Sequence, residues 1–283
     1  MNNKIVRLAR TWPSLLGAFF FSLGAIFLVF ESYEVITNSD IKFSFASYLI
    51  WSGVVALIYS LVDGHFVTGN LLGKIDLFQN TFGSKVTIKF GDLFSQSGWK
   101  AISVNDFFDH QIDDVLISSS SLHGHVVNTY WPENNEEWYE AVIADLSGHA
   151  PVEEARPTGK TLRYPIGATA KAESESEKFL FVALGNTSID DNTTTATAED
   201  LICAVRGLLR KARAVCSNQP LSIPLMGSGL ARVGIINSVV LDLILCGVFE
   251  ELKQGKITSK IQVVLPESME DQIDLLSIKR KWH

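Results

Sequence analysis

The chain has few charged residues and few cysteines. Charged residues make up 19% of the 283 positions, and the three cysteines stand apart from one another. An odd, unclustered set argues against a disulfide framework, and no cysteine–histidine spacing typical of a metal site appears. The net charge of −7 also offers no broad basic field to a nucleic-acid backbone. We therefore expect reduced thiols at Cys203, Cys216 and Cys246, no bound metal and no nucleic-acid partner.

Hydrophobic residues, in contrast, make up 47% of the chain and are concentrated near its start. The runs LLGAFFFSLGAIFLVF (15–30) and FASYLIWSGVVALIYSLV (45–62), with their flanks, approach the ~20 residues that a helix needs to cross a bilayer. No small-residue cleavage site follows Phe30, which argues against a signal peptide. We predict a transmembrane hairpin over residues 1–64, with spans at about 12–31 and 44–62.

The charges that flank the first span predict the topology of the hairpin. Basic residues precede this span, whereas the connecting segment ESYEVITNSD is acidic, so the positive-inside rule places both termini in the cytoplasm. Ala18, Ser22 and Ala25 share one face of the first span. Small residues allow close helix–helix contact but are also common in membrane helices generally, so the sequence leaves self-association through this face open.

Residues 65–283 alternate short β-like segments with helical ones. Lys74–Gln79, Lys85–Phe90, Ala101–Asn105, Glu177–Gly185 and Lys260–Pro266 have the β-branched content of strands. Helices are predicted over Thr195–Cys216 and Ile236–Leu252. This alternation predicts one cytoplasmic α/β domain in which helices cover a mixed sheet, an α/β/α arrangement.

A glycine-rich loop, PLMGSGLARVG, lies between a further predicted strand, LSIPLM, and the predicted helix over Ile236–Leu252. Loops at the carboxyl ends of strands form the ligand sites of open α/β sheets. Unobstructed backbone N–H groups beside a helix N-terminus suit a diphosphate. The loop lacks the pattern of a Rossmann fingerprint and the lysine of a P-loop, so taken alone it favours a structural turn over a ligand site. The candidate ligand-binding residues here are Gly227, Ser228, Gly229 and Leu230.

Polar or small residues also follow two earlier strands. The segment KFGDLF places an aspartate after a strand, AISVN ends in an asparagine, and ISSSSLHGH supplies a serine-rich loop. A carboxylate can accept from an exocyclic amine, and an amide can contact ribose hydroxyls. The further candidate ligand-binding residues are Asp92, Leu93, Asn105, Ser119, Ser120 and Leu122.

The order of these elements resembles the macrodomain family of ADP-ribose binders. GDLF is similar to the family's Gly-Asp turn, Asn105 to the first asparagine of its Asn-Ala-Ala-Asn element, and GSGL to its phosphate loop. The resemblance covers most of Lys74–Pro266. It implies that Asp92 holds the adenine amino group, Asn105 contacts the distal ribose, and the glycine loop binds the diphosphate. An aromatic side chain is expected on the adenine, with Phe94, Phe107 and Phe108 as candidates.

The chain departs from the hydrolytic members of that family. Asp106-Phe107-Phe108-Asp109 replaces the usual second asparagine, and serines replace a glycine-rich loop. Only Asp109 and His123 are candidates for a general base. We therefore expect a ligand sensor with no catalytic residue, no cofactor and no enzymatic activity.

Two spans followed by such a macrodomain resemble the ThsA-like effectors of bacterial Thoeris anti-phage systems. YPIGATA (164–170) and SSLHG are also similar to that group. The resemblance implies that a partner with a Toll/interleukin-1-receptor-like domain makes an ADP-ribose-derived messenger, a conjugate with histidine. Binding would cause self-association and disruption of the inner membrane.

Two other functions remain as alternatives. The first is a membrane-tethered ADP-ribosyl hydrolase or ADP-ribose reader, which as a hydrolase would need a positioned base. The second is a housekeeping membrane protein in which the GSG segment is only a turn.

Overall fold

The computed structural model describes residues 12–38, 44–67, 69, 72–77, 83–229 and 233–282. The chain divides into two compact units. The first comprises Met1–Ile75 with Asp274–Trp282, and the second comprises Asp76–Ile273 with the last residue.

The first unit contains a pair of long apolar helices, α1 (Trp12–Thr37) and α2 (Phe45–Val62), followed by a π-helical turn (Asp63–Val67). The segments Leu15–Thr37 and Phe45–Phe66 are long and apolar enough to cross a membrane. Most of their large side chains face outward, as in Phe21, which is 80% exposed. The two predicted spans thus coincide with two candidate membrane helices.

A seam of small residues joins the two helices. Ser22 of α1 is buried, and so are Ser52, Ala56 and Ser60, which recur at every fourth position of α2. The Ser22 hydroxyl donates to the Ser52 carbonyl at 3.1 Å. The small-residue face that contains Ser22 therefore contributes to packing inside the hairpin.

The first helix extends beyond the predicted membrane span. Helix α1 continues past Glu31 to Thr37, whereas the predicted span ends at residue 31. Glu31 and Glu34 end the apolar run, but glutamate is compatible with a helix, and no glycine or proline follows before Asn38. Asn38 has a φ of 52°, which a helix does not allow. The end of the hydrophobic run and the end of the helix are therefore different positions.

The second unit is built on a mixed sheet in the order β1-β2-β10-β9-β3-β7-β6, with β8 paired to β7. The pairs β2–β10, β10–β9, β9–β3 and β3–β7 are parallel, whereas β6 and β8 run antiparallel to β7. A separate small hairpin consists of β4 and β5. The strands are β1 (Lys74–Leu77), β2 (Lys85–Phe90), β3 (Trp99–Asn105), β4 (Val152–Glu153), β5 (Leu162–Arg163), β6 (Thr169–Glu173), β7 (Lys178–Thr187), β8 (Thr194–Thr195), β9 (Leu221–Pro224) and β10 (Lys260–Leu265).

Helices flank this sheet. They are α3 (Leu122–Tyr130), α4 (Asn135–Asp145), α5 (Ala198–Val215) and α6 (Asn237–Leu252). Helix α5 begins with a capping box, in which the Thr197 side chain and the Asp200 side chain each accept from the other's backbone N–H. Its apolar face, including Leu201, Leu208 and Leu209, is fully buried. A short 3₁₀ turn (Glu267–Met269) follows the sheet, and α7 (Leu275–Lys281) belongs to the first unit. The predicted α/β/α class, with helices covering a mixed sheet, is confirmed.

Candidate functional site

A cleft of about 810 Å³ lies along the carboxyl ends of the five parallel strands. Read across the sheet, its lining comes from Asp92 after β2, Glu267 after β10, Gly227–Gly229 after β9, Asn105 at the end of β3, and Asn192 after β7. The carboxyl edge is where open α/β sheets bind ligands, because the loops diverge there and leave space.

The structure brings most of the predicted site residues together. Those that line the cleft are Asp92, Leu93, Asn105, Ser120, Leu122, Gly227, Ser228 and Gly229. Ser119 belongs to the same serine loop but is not among the lining residues, and its backbone N–H donates to Asp114 Oδ1 at 2.7 Å. Leu230 lies outside the described residues.

The Asp92 turn is shaped by local hydrogen bonds. Gly91 has a φ of 151°, and Asp92 Oδ1 accepts from the Phe94 backbone N–H at 3.0 Å. Leu93 is buried, which anchors the turn to the core while Asp92 itself is exposed. The carboxylate is therefore held at the β2 end of the cleft by its own loop.

Phe94 is the one candidate aromatic residue, of the three named from the sequence, that lines the cleft. Its ring lies 5.1 Å from that of His125 and 6.3 Å from that of Tyr130. Phe107 and Phe108 are completely buried. A planar ligand can therefore reach Phe94 and not the other two.

The glycine loop presents bare backbone to the cleft. Gly227 has a φ of 83°, and the Ser228 hydroxyl donates to the Leu225 carbonyl at 2.6 Å, which closes the turn. Within the described parts of the chain, the backbone N–H groups of Gly227, Ser228 and Gly229 have no protein acceptor. Backbone N–H groups without a protein acceptor at the edge of a cleft suit an anion.

Helix α6 does not extend to this loop. It begins at Asn237, one residue after the predicted start at Ile236 and eight residues beyond Gly229. Gly234 (φ 75°) lies between them, and Ile236 serves as the N-cap without a side-chain hydrogen bond. No residue of α6 is among the described residues that line the cleft, so the anion-binding capacity of the loop is argued from its backbone N–H groups alone.

The serine loop leads directly into helix α3. Ser121 caps the helix by accepting from the Gly124 N–H at 2.9 Å. A Cβ at Gly124 would lie 2.4 Å from the Ser118 carbonyl oxygen, so only glycine allows the loop to pack this closely on the helix. The first turn of α3, with Leu122 and His123, thereby faces the cleft.

Asn105 is buried, and its amide is held by Asp109. Asn105 Nδ2 donates to Asp109 Oδ2 at 2.7 Å, and the Asp109 N–H donates to Asn105 Oδ1 at 3.1 Å. The strand pairing shifts register between Val104 and Asn105, an irregularity that re-aims a side chain at a strand end.

Asp109 does not have the surroundings of a general base. Its side chain is 1% exposed, and it forms an ion pair with the fully buried side chain of Arg156. Oδ1 also accepts from the Lys160 backbone N–H at 2.9 Å. With both carboxylate oxygens engaged by the protein, Asp109 is a structural partner of Asn105.

His123 is buried beside aromatic rings. Its ring lies 5.0 Å from that of Trp138 and 6.2 Å from that of Phe181. Desolvation lowers the pKa of His123 from 6.5 to about 3, so the imidazole is neutral at physiological pH and only weakly basic. This environment favours a packing role for His123.

Sequence reasoning missed several lining residues, including Asp114, Asn192, Thr194 and Glu267. A backbone hydrogen bond from Ser119 lowers the pKa of Asp114, which keeps it a carboxylate. No lysine or arginine is found among the described residues that line the cleft. Nor does the described part of the chain contain a group of His, Cys, Asp or Glu side chains placed to hold a metal ion.

Comparisons with known proteins match the chain to one family over most of the second unit. A family model described as the macro domain of the Thoeris protein ThsA matches residues 86–266. The Thoeris protein ThsA of Bacillus amyloliquefaciens (strain Y2) is 30% identical over 185 residues, which are 63% of this chain and 60% of that protein. The match thus spans less than two thirds of the length of that relative.

Solved macrodomains share the fold at low identity. A mutant of the Oceanobacillus iheyensis macrodomain has 15% sequence identity and a TM-score of 0.50, covering 75% of this chain and 97% of its own. Another mutant of the same macrodomain, with ADPR, has 16% identity and a TM-score of 0.49 over 74% of this chain and 96% of its own. The first of these likenesses shows the fold of the second unit.

Proposed function

The chain belongs to the macrodomain family of the Thoeris protein ThsA, and from this premise we propose that it is a bacterial anti-phage defence effector. In this proposal the macrodomain binds an ADP-ribose-derived messenger, the histidine conjugate of ADP-ribose. A partner protein with a Toll/interleukin-1-receptor-like domain supplies it, so the two proteins communicate only through the small molecule. Binding leads to self-association and membrane disruption, which ends in cell death or growth arrest.

The order of groups along the cleft is the observation that carries the proposal. Asp92 after β2, the Gly227–Gly229 loop after β9 and Asn105 at the end of β3 follow in this order across the sheet, with Glu267 after β10 between the first two. A carboxylate can accept from the amine of an adenine, bare N–H groups can donate to a diphosphate, and an amide can contact the hydroxyls of a ribose. The three groups thus occur in the order of the three parts of ADP-ribose. The cleft volume of about 810 Å³ also lies in the range of small-molecule sites.

The surroundings of the two bases that the sequence offered support a binding protein rather than an enzyme. Catalytic hydrolysis at the distal ribose needs a base with free access to water. Asp109 is already ion-paired and His123 is weakly basic, so neither supports that role. Chromatography of ADP-ribose conjugates after incubation with the protein would detect the alternative hydrolase activity as product release.

For the membrane we propose that residues 1–64 form the anchor and that residues 65–283 form the cytoplasmic ligand-binding domain. The outward-facing large apolar side chains of α1 and α2 support two spans of the inner membrane. The basic residues before α1 support cytoplasmic termini. Ligand occupancy can act on the spans only if the assembled state binds the messenger more tightly than the unassembled state.

Titration calorimetry on the full-length protein in detergent micelles tests the proposed ligand. ADP-ribose, its histidine conjugate and NAD are compared at the same salt concentration. The conjugate is expected to bind most tightly, with ADP-ribose weaker, because Ser118, Ser120 and Ser121 line the cleft and offer hydroxyl groups to the added amino-acid moiety. Absence of binding heat with all three compounds would contradict the proposal.

Phe94 is the expected stacking partner of the adenine. A base stacked on an aromatic ring contributes about 1–3 kcal/mol, so Phe94→Ala should weaken ADP-ribose binding at least about fivefold. Phe94→Tyr keeps the ring and serves as the matched control, with affinity close to that of the wild type. Equal affinities for the alanine and tyrosine variants would show that the adenine lies elsewhere.

A further inference from the structure

The side-chain amides of Asn105 and Asn192 line the cleft and are hydrogen-bonded to the same buried ion pair. Asn105 donates from Nδ2 to Asp109 Oδ2 at 2.7 Å, and Asn192 Oδ1 accepts from Arg156 Nη1 at 3.3 Å. Asp109 and Arg156 are in turn ion-paired with each other, with side chains 1% and 0% exposed. The Asp109–Arg156 ion pair thereby connects Asn105 at the end of β3 with Asn192 in the loop after β7.

The chemistry of the pair fixes which way each amide points. A carboxylate only accepts hydrogen bonds, so Asp109 requires the NH₂ group of Asn105 to face it. A guanidinium only donates, so Arg156 requires the carbonyl oxygen of Asn192. Two further hydrogen bonds favour the same orientations. The Asp109 N–H donates to Asn105 Oδ1 at 3.1 Å, and Asn192 Nδ2 donates to Thr158 Oγ1 at 2.9 Å.

The pair is itself held rigidly. Arg156 lies between β4 and β5, where its Nε donates to the Lys160 carbonyl at 2.6 Å and its guanidinium lies 3.9 Å from the centroid of the Phe107 ring. Gly159 has a φ of 90°, and a Cβ there would lie 2.3 Å from Arg156 Nη2 and 2.9 Å from Asp109 Oδ1. Buried charges persist only with such complete pairing, so the hairpin turn is built around this contact.

We propose that Asn192 is a second ligand-binding amide beside Asn105, and that Asp109 and Arg156 are positioning residues which fix the orientation of both. The proposal rests on the proposed function and assigns these residues to the distal ribose. Each amide has one N–H and one acceptor lone pair left after its protein contacts. Two such donor–acceptor pairs match the two vicinal hydroxyls of a ribose, each of which donates and accepts.

ADP is the probe that separates this role from general stability, because it lacks the distal ribose. Binding of ADP-ribose and of ADP to the full-length protein is measured by calorimetry for the wild type and for Asn192→Gly. Glycine removes the amide and tolerates the φ of 58° at this position. Loss of one or two hydrogen bonds should weaken ADP-ribose binding about tenfold, with ADP affinity changed less than about twofold.

Further variants separate positioning from direct contact. Thr158→Val removes an acceptor of Asn192 at an exposed position and leaves the ion pair intact, so about a threefold loss for ADP-ribose is expected. Asp109→Asn lets the Asn105 amide flip and should weaken ADP-ribose binding about tenfold. The single variant Asp109→Asn leaves the buried charge of Arg156 unpaired. If it does not fold, the double variant Asp109→Asn with Arg156→Gln replaces it, because neither residue is then charged.

The outcomes are distinguishable. Wild-type protein that binds ADP-ribose, together with variants that lose only ADP-ribose affinity, would support the assignment. Parallel losses for ADP-ribose and ADP, or unchanged affinities for both, would overturn the assignment while the proposed function stands. A wild type that binds neither ADP-ribose nor its histidine conjugate would overturn the proposed function and this assignment with it.

Discussion

Replacing Gly229 with glutamate is expected to abolish binding of ADP-ribose and its histidine conjugate, with an affinity loss of at least about 100-fold. Gly229 lines the cleft and is exposed, and none of the described residues lies within 4 Å of the position of a Cβ. The added side chain therefore fits without disturbing the fold, but its carboxylate lies beside backbone N–H groups that the diphosphate needs. Like charges placed this close cost several kcal/mol.

Gly229→Ala is the matched control for this variant. The φ of Gly229 is not positive, so alanine is tolerated there, and its methyl group meets no atom of the residues that the structure describes. Calorimetry should give an affinity within about twofold of the wild type, and both variants should keep the wild-type melting temperature. If Gly229→Glu bound the conjugate as tightly as Gly229→Ala does, the diphosphate would not lie at this loop.

Acidification is expected to destabilise the protein through His123. In the unfolded chain this histidine titrates near 6.5, whereas burial lowers its folded pKa to about 3. Between these values the unfolded state takes up a proton that the folded state does not. The contribution is therefore fully present above pH 6.5 and is lost as the pH falls, by about 1.4 kcal/mol per pH unit.

His123→Phe removes the titration and keeps an aromatic ring against Trp138 and Phe181. Between pH 7 and pH 5, the free energy of unfolding of the variant should fall by about 2 kcal/mol less than that of the wild type. Thermal unfolding followed by tryptophan fluorescence gives the pH dependence for both proteins in the same detergent. Parallel curves would show that His123 is not the group responsible, whatever the stability of the variant at pH 7.

Much of the architecture could be predicted because it rests on local patterns. The two apolar runs are long and uninterrupted, and the parallel strands are rich in β-branched residues, as in KIQVVL. Asp92, Asn105 and Gly227 each come directly after or at the end of such a strand, so topology alone brings them to one edge. Predicting the strands therefore sufficed to place these residues.

The rest of the site depends on contacts between distant segments. Arg156 and Asp109 are 47 positions apart, and Arg156 and Asn192 are 36 apart, with no sequence periodicity that relates them. Asn192 lies in DDNTTTATAED, whose polar composition is that of a solvated loop, and β4 and β5 have only two residues each. Asp109 therefore appeared to be a candidate base, because its buried cation partner was not visible in the sequence.

Dye release from lipid vesicles that contain the full-length protein tests ligand-dependent membrane disruption most directly. The histidine conjugate of ADP-ribose is added to vesicles with wild-type, Gly229→Ala or Gly229→Glu protein at equal protein density. We expect rapid release with the first two proteins and none above background with the third. Release that is equal in all three with or without the conjugate, or no release from wild-type vesicles under conditions where calorimetry shows binding, would contradict the proposed function.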